Sequence, residues 1–160
     1  MSPVVMLIVG LILGLALALG VGVGMMRTQM LSARRSKRSF EDTCAAVERV
    51  VGAAEDWGMP IPAQNLLTTL EKHQLVPADL KQFRVFFVCN PKLASRMLTL
   101  NLPMAGMMPC SWAVYENAAG EVYLSKMNVG LMSRMFGGEI GGIMAKVGQA
   151  DDAFLAEVLG

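Results

Sequence analysis

Cys89 and Cys110 are the residues of this 160-residue chain whose type and placement best suit chemistry. Cys89 closes the apolar run Arg84-Val85-Phe86-Phe87-Val88-Cys89, and Cys110 opens a second such run that reaches Glu116. If the two runs are neighbouring strands the sulfurs can approach each other, although sequence spacing alone does not bring them together. Met104, Met107 and Met108 lie just before Cys110, and thioether with thiolate suits a soft ion such as Cu(I). A redox pair or a persulfide-carrying thiol are the other chemical readings. Against all three stands the ordinary use of free cysteine and methionine as core residues, and Cys44 lies apart on a helical segment.

Other chemistry has little to draw on. His73 is the only histidine, which excludes a multi-histidine metal centre and leaves a nucleophile triad unsupported. It sits in the polar stretch Glu71-Lys72-His73-Gln74 and reads as a surface residue. The glycines of Gly137 to Gly142 lack both the preceding strand and the following Lys-Ser/Thr of a phosphate loop. No catalytic residues, cofactor or dedicated metal site are therefore expected, and the chain reads as a non-enzyme.

The elements that must position these residues begin at Ser39, an N-cap with Glu41 and Asp42 in the first helical turn. Cys44, Val47, Val51 and Ala54 recur at helical spacing, with Gly58 as the stop. Met59-Pro60-Ile61-Pro62 is extended, and Asn65 to His73 reads as a short helix. The strand Arg84 to Cys89 is apolar on both faces and is expected to be central in its sheet. Lys92 to Leu100 is helical, Asn101 to Pro109 irregular. Cys110 to Glu116 and Glu121 to Met127 form a hairpin about the turn Asn117 to Gly120. A long amphipathic helix starts at Val129 and a separate terminal one at Asp151, and Ser133, Gly137, Gly141 and Ala145 make a small-residue stripe along the former. The fold class is α+β, with an antiparallel sheet of a central strand plus a hairpin, backed by helices.

The apolar content of 54% exceeds the roughly 45 to 50% of ordinary globular chains. The excess lies in Val4 to Met26, an uncharged run long enough for a bilayer core of about 30 Å. Residues 1–26 are thus read as a transmembrane anchor, 27–38 as a basic juxtamembrane tether and 39–160 as one domain. No basic residue precedes the span, whereas Arg27, Arg34, Arg35, Lys37 and Arg38 follow it, so the N-terminus is expected outside and the domain in the cytoplasm. All thirteen acidic residues lie beyond the tether, against nine of the fourteen basic ones, leaving the domain acidic. Arg34, Arg35, Lys37 and Arg38 would face anionic lipid, and the lack of interleaved aromatic residues argues against nucleic acid as partner. Gly10, Gly14, Ala18 and Gly22 line one helix face, with Ala16, Gly20 and Gly24 beside them, as in spans that pack closely on another helix.

Phe87-Val88-Cys89-Asn90-Pro91, Met108-Pro109-Cys110, and Val114-Tyr115-Glu116 followed by Gly120-Glu121-Val122 together resemble the domain-of-unknown-function 302 family from about Phe40 to Leu159. The resemblance implies a compact α+β fold that tends to dimerise and has no established enzymatic role. That family begins with a strand before the first helix. Here the basic segment Met30 to Arg38 takes its place, so the strand is expected to be missing or displaced, leaving a sheet edge to be covered. Asn128 is followed by Val129 where the family more often has Pro. The expected function is a membrane-anchored, non-enzymatic interaction module, either an accessory subunit of a membrane complex or a tethered homodimer. The alternative is thiol or soft-metal handling by Cys89 and Cys110, with Met107 and Met108 nearby.

Overall fold

The computed structural model describes residues 2–160, without the side chains of 25–27, so Arg27 lies outside the described side chains. Helix α1 runs from Pro3 to Gln29, and its Pro3–Gly24 stretch is long and apolar enough to cross a membrane. None of that stretch is buried by the rest of the chain. A single residue, Met30, separates α1 from strand β1, Leu31–Arg35. Of the segment expected to be a tether, residues 27–29 continue α1 and 31–35 form a strand of the sheet, at the place where the resembled family has its first strand. Basic residues do not prevent this, because both arginines of β1 are exposed and an edge strand tolerates charge well.

Four strands form one antiparallel sheet in the order β1-β4-β3-β2, where β2 is Leu80–Val88, β3 Cys110–Asn117 and β4 Val122–Met127. The expected hairpin is β3 and β4, with Tyr115 opposite Tyr123 and the two rings stacked at 5.4 Å. Its turn is closed by Asn117, whose side-chain oxygen accepts from the Glu121 backbone N–H at 2.9 Å, and by Gly120 at φ 80°. Only glycine adopts that φ without strain.

Strand β2 lies at the sheet edge and not, as its composition predicts, in the centre. Its two apolar faces have a different cause. One face, with Phe86 and Val88, enters the core, while chain before α3 (Leu67–Lys72) runs along the free edge. There Gly58 exchanges backbone hydrogen bonds with Cys89, and Gln64 with Val85, at 2.8 to 3.0 Å. These bridges satisfy groups that an open edge would present to another chain.

Helices cover one side of the sheet. Helix α2, Phe40–Ala53, is capped by Ser39, which accepts from the Asp42 N–H at 3.1 Å. It presents Cys44, Val47 and Val51 to Phe86, Trp112, Val114 and Leu124 of the sheet. Leu155 and Val158 of α6, Gly138–Leu159, complete that core. Helix α4, Pro91–Leu100, is capped by Asn90, and a short α5, Val129–Met132, by Asn128.

The C-terminal part differs from expectation in where it breaks. The chain leaves helical conformation at Phe136, and residues 138–159 are one helix with no interruption at Asp151. The small-residue stripe is divided by that break. Gly141 takes a backbone close to it: a Cβ there would lie 2.2 Å from the Phe136 carbonyl oxygen. Farther along α6, Gly148 packs on Gly130 of α5 so closely that a Cβ would come within 2.6 Å of the Gly130 Cα. Close approach at both positions is to this chain's own backbone.

Candidate functional site

The site residues are gathered by strand register. Val88 pairs with Cys110 across β2 and β3, so Cys89, the next residue, emerges beside the start of β3. Both cysteines are half-buried, and both line one cavity of about 210 Å³ between the sheet end, α4, the Leu102–Met107 turn and α6. Met104, Met107 and Met108 line it too, as does Met97. The fold thus brings together the cysteines and methionines that sequence spacing left unconnected. All three cysteines are free thiols, and Cys44 is buried in the main core away from the cavity.

The thiols are held protonated. Burial pushes Cys110 up to about 11, with the charges of Asp151 and Cys89 adding to the rise and Lys126 opposing it. Burial likewise raises Cys89. A nucleophilic or redox thiol needs the opposite shift, so this setting favours neutral sulfur. Among the described residues there is no group of three His, Cys, Asp or Glu side chains placed to hold a metal. A soft ion here would rest on two sulfurs of cysteine and on thioethers.

One buried polar feature of the cavity is missed by sequence reasoning. Lys126 and Asp151 both line it, with side chains 4% and 1% exposed, and Lys126 Nζ lies 3.0 Å from Asp151 Oδ2. Lys126 belongs to the inward row Val122, Leu124, Lys126 of β4, opposite Trp112, and Asp151 belongs to the buried face of α6. Burial raises the Asp151 carboxyl, with Lys126 drawing it back. A lysine at an inward strand position and an aspartate at core spacing in a helix were the available signals.

Of the other residues read as sites, Gly10, Gly14 and Gly22 stand on the unpacked α1, with nothing within 4 Å of an added Cβ. Ala18 shares that exposed helix. Arg34 and Lys37 are exposed. Arg35 pairs with Glu121 at 3.1 Å, and Arg38 Nε donates to the Val158 carbonyl at 3.0 Å, so two of the four basic residues are engaged by the domain. His73 is exposed at the end of α3.

Comparison with known proteins agrees with this architecture. The model of the family described as domain of unknown function DUF302 matches residues 32–158, which include all of β1 but Leu31. The crystal structure of an uncharacterized conserved DUF302 protein from Bacillus stearothermophilus is similar at a TM-score of 0.70 and 20% identity, over 82% of this chain and 99% of that one. No curated protein matches.

Proposed function

The chain belongs to the DUF302 family, and from that premise we propose that it is a membrane-anchored, non-enzymatic interaction module, working as an accessory subunit of a membrane complex or as a tethered homodimer. The observation that carries this reading is the junction of anchor and domain. Asn128 donates its backbone N–H to the Met30 carbonyl at 2.8 Å and its side-chain N–H to the Gln29 carbonyl at 3.1 Å. A span fixed in this way to the end of β4 sets the position of the domain relative to whatever the span packs against. The open glycine face of α1 supplies a surface for such packing. The basic residues after the span support a cytoplasmic domain, since such residues are retained on that side.

Native mass analysis of gently solubilised membranes tests the association. A dimer or a stoichiometric partner is expected, lost on Gly10→Leu with Gly14→Leu; monomer alone with nothing copurifying overturns the reading. Labelling of a C-terminal cysteine from outside intact cells would overturn the orientation. A second reading, thiol or soft-metal handling, is favoured by the shared cavity of Cys89 and Cys110. It requires that Cys89→Ser with Cys110→Ser alter bound Cu(I) or sulfur content, and an unchanged content removes it.

A further inference from the structure

We propose that the cavity beneath α4 and α6 is a binding site for a small neutral alcohol or phenol, with its hydroxyl at the Lys126–Asp151 pair and its apolar body among the methionines. Asp151 Oδ1 and Trp112 Nε1 are both buried, both belong to residues lining the cavity, and neither has a hydrogen-bond partner among the described residues. Buried polar atoms are rarely left unmatched, because each has given up hydration without replacement. One needs a donor and the other an acceptor. A hydroxyl group supplies both functions, and the ammonium of Lys126 beside it is a further donor.

Charge and size define the rest of the ligand. Lys126 and Asp151 neutralise each other at 3.0 Å, and burial keeps the two cysteine thiols protonated. A charged ligand would enter without a counter-ion, so a neutral one is preferred. Met97, Met104, Met107 and Met144 give a soft wall that adapts to shape. The 210 Å³ volume exceeds the about 150 Å³ that accommodates benzene in an engineered cavity, which leaves room for a ring with a short substituent. This site is distinct from the helix contact proposed above, and it does not require reaction at either cysteine.

The full chain in detergent micelles, with its methionine methyl groups isotopically labelled, can be titrated with 4-methylphenol, 1-hexanol and toluene and read by NMR. Saturable shifts at Met97, Met104 and Met144 are expected, with 4-methylphenol bound about tenfold more tightly than toluene, the factor of one hydrogen bond to a charged group. Lys126→Met with Asp151→Leu should keep toluene binding and abolish the preference. Should that variant fail to fold, Trp112→Phe, which removes the indole donor with part of the ring and leaves the ion pair, should reduce the preference in part. Cys89→Ser with Cys110→Ser should leave it in place. Absence of saturable shifts with both hydroxyl probes, or equal affinity for 4-methylphenol and toluene, overturns the proposal.

Discussion

Lys126 of β4 and Asp151 of α6 form an ion pair at 3.0 Å with both side chains essentially out of solvent, Asp151 standing on α6 between Val147 of one hydrophobic cluster and Leu155 of the other. A buried pair of this kind contributes little net stability, because desolvation offsets most of the attraction. Breaking it is a different matter. Removing one member strands a charge in a nonpolar setting.

Lys126→Met alone should therefore destabilise the domain by about 3 to 5 kcal/mol, whereas Lys126→Met with Asp151→Leu should recover most of that loss. Urea unfolding followed by tryptophan fluorescence reports both, since Trp112 lies beside the pair in the sheet. Equal destabilisation by the single and double variants would show that the pair itself, and not the stranded charge, matters.

The thiols predict an alkaline limit. Burial pushes both Cys44 and Cys110 up to about 11 from an ordinary 9.0, so the folded chain retains two protons that the unfolded chain releases over this interval. More protons bound in the folded state means stability falls as pH rises. It should be fully present below about 9 and decline between about 9 and 11. Melting temperatures across that range should fall more steeply for the native chain than for Cys44→Ala with Cys110→Ala, and parallel curves would contradict the assignment.

Two glycines of α6 should respond in opposite directions to the same substitution. Gly148→Ala places a methyl 2.6 Å from the Gly130 backbone and should cost about 1 to 3 kcal/mol as α5 is forced away. Gly142→Ala meets nothing within 4 Å and should gain about 0.5 to 1 kcal/mol from helix propensity. Paired urea titrations give both numbers.

The anchor junction depends on one side chain with two roles. Asn128 Nδ2 donates to the Gln29 carbonyl, while Asn128 Oδ1 accepts from the Leu131 N–H at 3.0 Å as the cap of α5. Asn128→Ala should cost about 1 kcal/mol through the lost cap. It should also speed hydrogen exchange at 30–35 and 129–132, with β2 unaffected. Exchange unchanged at 30–35 would show that the backbone bond from Asn128 N–H to Met30 suffices to hold the junction.

Most local structure was legible in the residues themselves. Ser39 is readable as the cap of α2 because its short polar side chain reaches the free N–H three residues on, a contact made within one turn, and Asn90 and Asn128, which sequence reasoning does not assign as caps, make the same contact for α4 and α5. The β3–β4 hairpin is set by Asn117 and Gly120, whose backbone demands are equally local. The apolar α1 also declares itself, since 22 residues of mean hydropathy 2.9 need no partner to be recognised.

What the sequence could not decide were relationships between residues distant along the chain. Two apolar faces on β2 implied a central strand, yet an edge position covered by the Gly58 and Gln64 bridges produces the same composition. The basic segment after the span contains an edge strand because its pairing with β4, from Leu31 with Met127 to Arg35 with Tyr123, uses backbone groups indifferent to side-chain charge. Cys89 and Cys110 were singled out by type and by their places at the ends of two strands. Only the Val88–Cys110 register brings them to one cavity, and only the crossing of α6 over β4 sets Asp151 on Lys126. Capping and periodicity are satisfied by neighbours in sequence and so can be read one segment at a time, whereas cavities and buried ion pairs exist only once separate elements have packed.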